Sequence, residues 1–235
     1  MHTAARAAVA GLALLLAPPA GAQAYPDKPV RIIVPFPPGA TIDFLARLLA
    51  QKLGEDWGVN VFVENKSGAG GIVGIDAAAK SMPDGYTFVC VANSFAANPV
   101  LRKDLPYDTF KDLAPVTLVG VTPQVAARKL KALAIATLQR SALAPELPTL
   151  GEAGLPGFTS DSWFGIAAPA KTPPAAVRKM QAQVADILRR PDVKSRLHTA
   201  GVEPSGNTPE QFGTFLQEQM AKYAAIIKAA GIKAE

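Results

Sequence analysis

Three short loops carry the residues of this sequence that are best suited to binding chemistry. They span residues 36–41, 67–71 and 92–94, and each follows an apolar stretch typical of a β-strand. Glycine allows a close backbone approach, and the start of a helix presents unpaired N–H groups at the positive end of its dipole. Ligands of open α/β sheets bind at the carboxyl ends of the strands. Two of these loops would therefore form a cradle for a carboxylate from backbone groups alone.

The same residues also have a purely structural interpretation. Thr41 is a favourable N-cap and Asp43 a favourable first-turn acid, and each stabilises an ordinary helix by about 0.5 to 1 kcal/mol. The Asp43 carboxylate would also repel an incoming anion. Nucleotide binding is not indicated, because Val73 stands where the dinucleotide motif needs its third glycine and no P-loop lysine follows.

The sequence lacks the patterns expected of an enzyme or a metalloprotein. His198 is the single histidine after residue 24, Cys90 is the single cysteine, and no Gly-x-Ser-x-Gly or His-Glu-x-x-His motif occurs. We therefore expect no catalytic residue, no metal site and no cofactor. His198 should lie on the surface, whereas Cys90 and Trp163 should be buried in the core.

The first 24 residues have the pattern of a secretory signal. Arg6 precedes an apolar run, and Ala22-Gln23-Ala24 forms a small-x-small cleavage site, so we expect cleavage after Ala24 and a periplasmic location. No later stretch reaches the roughly 18 apolar residues that a membrane helix needs. The net charge of +5 is scattered along the chain. Nucleic acid is therefore not an expected partner, and we expect a monomer.

Apolar periodicity predicts strands that alternate with helices, and hence a parallel, right-handed βαβαβ sheet. The first predicted helix contains residues 45–53 and ends at Gly54, and residues 93–113 have no regular pattern until a short segment at 110–113. The predicted strands cover residues 30–34, 59–63, 86–91, 116–121, 131–137 and 164–168. The other predicted helices cover residues 72–80, 174–190, 192–200 and 209–229.

Several longer motifs resemble one family. The export signal is followed by YPDKPVRIIVPFPPG at residues 25–39, VENKSGAGG at 63–71, PDGYT at 83–87, LPYD at 105–108, PTLGEAGLPGF at 148–158 and SWFG at 162–165. Together these motifs resemble the Bug-type receptors, the periplasmic substrate-binding proteins of tripartite tricarboxylate transporters. The similarity extends over nearly the whole chain after the signal.

This resemblance implies an α/β fold of the periplasmic binding protein type, a type II-like clamshell that captures a small carboxylate. A di- or tricarboxylate or a related organic acid would then pass to a membrane permease. Residues 25–121 and 166–235 would form one largely complete βαβ lobe with the C-terminal helices, and residues 122–165 a remnant of the second lobe. The ligand-binding residues that the resemblance implies are Phe36, Gly39, Ala40, Thr41, Ala69, Gly70, Gly71, Asn93 and Ser94.

One departure from the family pattern bears on function. VTPQV at residues 121–125 is followed almost directly by KLKALA at residues 129–134, although the two motifs are far apart in the family. The missing segment would supply most of the second lobe and its side of the cleft. Two alternatives therefore stand beside a working receptor: a shortened, degenerate paralogue without ligand binding, and a periplasmic protein-interaction partner. A smaller departure is Ala40, where the family usually has a second glycine.

Overall fold

Strand β1, Val30–Val34, carries apolar side chains on both of its faces, with Arg31 as the one exception. In the computed structural model, which describes residues 25–123, 134–141, 144–155 and 159–232, Ile32 packs in one hydrophobic cluster and Ile33 in another. Phe88 and Val89 divide between the two clusters in the same way. Successive side chains of a strand point to opposite faces, so consecutive apolar residues such as Ile32 and Ile33 indicate a strand that is buried on both sides.

The regular elements follow each other as a mixed α/β chain. The strands are β1 Val30–Val34, β2 Val61–Asn65, β3 Thr87–Ala92, β4 Leu113–Pro123, β5 Asp161–Pro169 and β6 Glu203–Pro204. The helices are α1 Thr41–Trp57, α2 Ile72–Ala79, α3 Asn93–Leu101, α4 Pro174–Arg189, α5 Pro191–Thr199 and α6 Pro209–Ala229, and a short 3₁₀ turn, Ala69–Gly71, precedes α2.

In the described part of the chain, six strands form one sheet in the order β2-β1-β3-β5-β4-β6. Strands β1, β2 and β3 are parallel, as the sequence predicts. The sheet is mixed beyond these three predicted strands, because β5 lies antiparallel between β3 and β4 and β6 is antiparallel to β4. Strand β5 returns to the sheet centre from a distant point in the sequence, which local patterns cannot reveal.

Helices cover both faces of this sheet. One hydrophobic cluster joins the sheet to α1, α4 and α5, and includes Leu49, Met180 and Leu197. The other joins it to α2, α3 and α6, and includes Ile75 and Phe212. This three-layer α/β arrangement agrees with the predicted fold class.

Helix α1 is longer than the sequence predicts. It continues through Gly54 to Trp57 and ends at Gly58, which adopts the left-handed conformation with φ of 69° and donates its N–H to the Gly54 carbonyl. Gly54 serves another purpose inside the helix, since a Cβ there would lie 3.3 Å from the Val59 carbonyl oxygen. The glycine allows α1 to approach the chain that leads into β2.

Helix α3 is absent from the sequence-based prediction, which treats residues 93–109 as irregular. Pro99 lies within this helix, and the Asn98-Pro99 pair is ordinarily a signal for a helix boundary. Tertiary packing overrides that signal, because Phe95 and Ala96 are buried in the same cluster as Phe212 of α6. The helix is thus maintained by burial of its apolar side rather than by local preference.

The part of the chain between β4 and β5 contains little regular structure where it is described. Of the predicted strand at 131–137, residues 131–133 lie outside the described residues, and Ile135 forms a single bridge with Thr149. Ile135 is fully buried. The main sheet itself extends to Pro123 and resumes at Asp161, which pair with each other. The division into lobe 1 and a lobe 2 remnant stays a prediction.

Cys90, Trp163 and His198 each lie where the sequence predicts. Cys90 is buried as a free thiol and Trp163 is buried in the core, both as expected. His198 lies exposed on α5. Within the ranges that the structure describes, no helix is both long enough and apolar enough to cross a membrane.

Candidate functional site

The three predicted loops lie at one edge of the sheet. Strands β1, β2 and β3 are parallel and end at Val34, Asn65 and Ala92, so their carboxyl ends meet at this edge. Helices α1, α2 and α3 begin just after these strand ends. Three helix N-termini therefore face the same region, where their unpaired N–H groups and dipoles favour an anion.

The three loops come closest to each other at Gly71. A Cβ built on Gly71 would lie 3.3 Å from Phe36 Cζ, 3.5 Å from Ser94 Oγ and 3.6 Å from Pro35 Cβ. Gly71 has a φ of 95°, in the region that favours glycine. Phe36, Gly71 and Ser94 belong to three different loops, and the structure brings them together as the sequence predicts.

The Ser94 hydroxyl lacks a hydrogen-bond partner at this meeting point. Its oxygen is buried, and none of the described residues pairs with it. An unpaired buried hydroxyl costs about 1 to 3 kcal/mol. A ligand oxygen or a water molecule that reached this position would therefore gain a preformed partner.

The glycine-rich loop has a left-handed backbone over three consecutive residues. Ala69, Gly70 and Gly71 have φ values of 47°, 64° and 95°. The Gly71 N–H donates to the Gly68 carbonyl at 2.9 Å, which closes the 3₁₀ turn. Ala69 and Gly70 are exposed. The turn thus presents open backbone at two of the three predicted positions, while Gly71 forms its buried base.

The first loop is organised by Asp43, the third residue of α1. Its carboxylate accepts hydrogen bonds from Gly39 N at 3.0 Å, Arg47 Nε at 3.0 Å and Asn65 Nδ2 at 2.8 Å. Asn65 Nδ2 also donates to the Phe36 carbonyl at 3.1 Å. The Gly39 N–H is therefore engaged within the protein and does not point at a ligand. The sequence had instead indicated Gly39 as a ligand-binding residue.

This hydrogen-bond network keeps the Asp43 carboxyl group ionised. Burial alone would raise the pKa of the Asp43 carboxyl, but hydrogen bonds from Arg47, Gly39 and Asn65 outweigh burial and lower it. The carboxylate is ionised and surrounded by donors, with Arg47 as its counter-ion. Asp43 thus fixes the loop, and the expected repulsion of an anion is offset by the Arg47 charge.

The start of α1 also differs from the prediction. Ala40 is the N-cap, Thr41 is the first helical residue, and no side chain caps this end. Ala40 has φ of −73° and ψ of 160°, an extended conformation that any residue adopts, so alanine is accommodated here without strain. Thr41 and Ala40 are exposed. The Asp43 N–H donates to the Ala40 carbonyl at 2.9 Å, whereas the N–H groups of Thr41 and Ile42 have no intrahelical acceptor.

Asn93 has a structural role in this conformation. Its Nδ2 donates to the Asp161 carbonyl at 3.0 Å and to Tyr223 Oη at 2.9 Å, and its Oδ1 accepts from Trp163 N at 3.0 Å. These contacts join the end of β3 to the start of β5 and to α6. Both amide hydrogens are used within the protein, so Ser94 is the residue of this loop whose side chain lacks a partner among the described residues.

Val73 is a residue of this edge that the sequence analysis did not assign to the site. It lies in the first turn of α2 and is 49% exposed. A Cβ on Gly68 would lie 2.7 Å from Val73 Cγ2, so the valine side chain covers the glycine-rich loop. Among the described residues, no group of three or more His, Cys, Asp and Glu side chains could hold a metal ion.

In the part of the chain that the structure describes, this edge is an exposed surface rather than a deep cavity. Residues 37–41 are exposed, as are Ala69 and Gly70. The chain leaves the sheet at Pro123 and returns at Asp161 on this same edge, so the segment between β4 and β5 is attached where a second wall would stand. A cavity of about 590 Å³ occurs elsewhere, beyond the C-terminus of α3.

Comparison with known proteins identifies a family. A sequence profile described as "Tripartite tricarboxylate transporter family receptor" (TctC) matches residues 45–125 and 114–232. Protein BugT of Bordetella pertussis is 27% identical over 306 aligned positions, which include 93% of this chain and 94% of BugT. Since the chain has 235 residues, BugT carries residues inside the aligned region that this chain lacks. The two matched ranges overlap at residues 114–125, next to the point where the sequence predicts a missing segment.

Solved structures share the fold. A periplasmic transporter protein is 29% identical and superimposes with a TM-score of 0.79, covering 90% of this chain and all of that one. MatC of Rhodopseudomonas palustris, solved with bound malate, is 24% identical with a TM-score of 0.74, covering 86% of this chain and all of MatC. The chain therefore has the fold of periplasmic binding proteins, as predicted.

Proposed function

This chain belongs to the receptor family of the tripartite tricarboxylate transporters, which includes the Bug proteins, and from this premise we propose that it binds a small carboxylate at the edge described above. Members of the family are periplasmic solute-binding proteins rather than enzymes. The proposed ligand-contacting groups are the backbone of residues 40–42 and 69–71 and the hydroxyl of Ser94.

The convergence of three helix N-termini is the observation that carries this proposal. Helices α1, α2 and α3 all begin at the carboxyl ends of parallel strands. Each N-terminus contributes N–H donors and roughly half a positive charge, so three of them favour a carboxylate without a dedicated arginine or lysine. The Asp43 charge does not oppose this preference strongly, because Arg47 lies beside it at 3.0 Å.

Gly71 and Ser94 support the same location. Gly71 brings the glycine-rich loop into close contact with Phe36 and with the unpaired Ser94 hydroxyl. A carboxylate oxygen placed there would accept from the hydroxyl, while the Phe36 ring would contact the carbon skeleton of the ligand. MatC was solved with malate, which supports a dicarboxylate as the class to test first.

We further propose that the protein is exported and works with a membrane permease. The pattern of residues 1–24 supports removal of a signal after Ala24. The permease would receive the ligand released from the exposed edge. A monomer is proposed for the receptor, and the segment between β4 and β5 is proposed as a reduced second lobe.

Thermal melts with matched carboxylates and amides test this function. Malate and succinate at about 100 times their dissociation constants would add about 2.7 kcal/mol, a shift of roughly 5 to 10 °C for a chain of this size, whereas succinamide would add nothing. Ser94→Ala should weaken the effect of succinate, and Ser195→Ala, an exposed serine on α5, should not. The absence of a shift with any of a broad set of carboxylates would favour the degenerate paralogue instead.

A further inference from the structure

A cavity lies about one helix length from the carboxylate edge, the surface formed by residues 40–42, 69–71 and Ser94. Helix α3 begins at the edge with Asn93, and its other end, Leu101, lies about 13 Å away at 1.5 Å per residue. There an open cavity of about 590 Å³ is lined by the end of α3, by most residues from Arg102 to Asp112 and by Met220 of α6. This volume is within the range of roughly 300 to 1,000 Å³ that is typical of small-molecule sites.

The two carboxylates that line this cavity are already occupied by the protein. Asp108 Oδ1 accepts from the N–H groups of Phe110 and Lys111 at 3.0 and 2.9 Å, and Asp108 Oδ2 pairs with Lys111 Nζ at 3.0 Å. Asp112 Oδ2 accepts from Asp108 N at 2.7 Å. These bonds fix the turn, and Lys111 balances the charge of Asp108.

Two cations in the wall have no such partners. Arg102 and Lys103 are exposed, and neither side chain forms an ion pair or hydrogen bond with the residues that the structure describes. Both follow the C-terminus of α3, where a positive charge also stabilises the helix. Their donors are nevertheless free to bind an anion.

A buried hydroxyl and an apolar surface complete the wall. Thr109 is 5% exposed, and its Oγ1 has no partner in the described ranges. Leu105, Phe110 and Met220 contribute apolar surface, with Phe110 40% exposed. The wall therefore offers two cationic groups, the unsatisfied Thr109 hydroxyl and an apolar patch, held by a turn that is internally hydrogen-bonded.

We propose that this cavity is a second ligand site, which takes a small organic anion with one acidic group and an apolar body. The acidic group lies between Arg102 and Lys103 and accepts from Thr109, and the apolar body rests against Leu105 and Phe110. This site does not depend on the carboxylate edge, because α3 separates the two and none of its proposed contacts is shared.

Benzoate and benzamide are the matched probes, since they have the same ring and differ in charge. In ¹⁵N-resolved NMR titrations of the protein, benzoate should cause saturable shifts at the amides of residues 102–112, and benzamide should not. Arg102→Gln combined with Lys103→Gln should weaken benzoate binding at least about tenfold, equivalent to about 1.4 kcal/mol. Thr109→Val should weaken it to a smaller degree.

A control variant removes the same charge elsewhere. Lys194→Gln combined with Lys228→Gln changes two exposed lysines on α5 and α6, and should leave the benzoate titration unchanged. Ser94→Ala should also leave it unchanged. The proposal is overturned if benzamide produces the same shifts, if the double variant at residues 102 and 103 binds like the parent, or if no saturable shift occurs up to about 10 mM, well above a millimolar dissociation constant.

Discussion

The Asp43 carboxylate accepts a hydrogen bond from the backbone nitrogen of Gly39 at 3.0 Å. This bond bends the loop that follows β1 back onto the first turn of α1, so a feature that ordinarily supports a helix also shapes the proposed ligand edge. Arg47 and Asn65 complete the arrangement from α1 and from the end of β2. The loop position and the charge of Asp43 are thus set by the same contacts.

Asp43→Asn should destabilise the protein. Three donors converge on this carboxylate, and an asparagine would place its own NH₂ group against at least one of them. We expect the free energy of unfolding to fall by about 2 to 4 kcal/mol, as is typical when a hydrogen-bonded buried charge is lost. Urea unfolding followed by circular dichroism would measure the loss, and an unchanged midpoint would contradict this role of Asp43.

The stability difference between the parent and Asp43→Asn should depend on pH. The folded-state pKa of Asp43 lies below its ordinary value, so its stabilising effect is complete above the ordinary pKa of about 3.9 and is lost as the pH falls through the folded-state pKa. The difference in melting temperature should therefore be largest near pH 7 and shrink below about pH 4. A constant difference from pH 7 to pH 3 would disagree with the hydrogen-bond network.

Gly74→Ala and Gly213→Ala should have opposite effects, although both glycines lie within helices. A Cβ on Gly74 would lie 2.7 Å from Pro35 Cα and from the Lys66 carbonyl oxygen, whereas the nearest atom to a Cβ on Gly213 would be Pro115 Cγ at 3.5 Å. We expect Gly74→Ala to cost about 1 to 3 kcal/mol. Gly213→Ala should add about 0.5 to 1 kcal/mol. Chemical denaturation of both variants would show whether α2 packs directly on the first two loops.

Asn93→Asp should weaken the junction of β3, β5 and α6. The Asn93 side chain donates to the Asp161 carbonyl and to Tyr223 Oη, and an aspartate cannot donate to the carbonyl. We expect a loss of about 2 to 3 kcal/mol in thermal unfolding, against about 1 kcal/mol for Tyr223→Phe, which removes a single hydrogen bond. Equal losses for the two variants would argue against the bridging role of Asn93.

Cys90 should report on unfolding of the sheet. Burial, and to a smaller degree the charge of Asp43, raises the pKa of the Cys90 thiol to about 12, so almost no thiolate exists at pH 8. An aromatic disulfide reagent should leave the native protein unlabelled and should label it in step with denaturation. Rapid labelling of the native protein would show that β3 opens locally.

The local junctions were predictable from sequence, and the long-range relationships were not. The proline and glycine run between β1 and α1 specifies a tight strand-to-helix connection, and parallel strands place their loops on one edge. In contrast, α1 continues through Gly54, which lies close to the Val59 carbonyl, and ends at Gly58 instead. Helix α3 forms despite Pro99 because it is buried against α6.

The candidate site, too, was only partly predictable from the sequence. Sequence reasoning chose loops that the structure brings together at Phe36, Gly71 and Ser94. It could not foresee that Asp43 occupies the Gly39 N–H, that Asn93 is used to join strands, or that Val73 covers the glycine-rich loop. Each of these depends on side chains that are distant in sequence, or on a backbone turn whose shape no composition reveals.

The most direct test of carboxylate binding at this edge is calorimetric titration of Val73→Asp with malate or succinate. Val73 lies in the first turn of α2 and is exposed, so an aspartate there should favour the helix through its dipole while repelling an anion. Binding should weaken at least about tenfold relative to the parent, a loss of about 1.4 kcal/mol, and Val73→Asn should remain close to the parent. If Val73→Asp binds the dicarboxylate as tightly as Val73→Asn, the ligand does not lie at this edge and the account is contradicted.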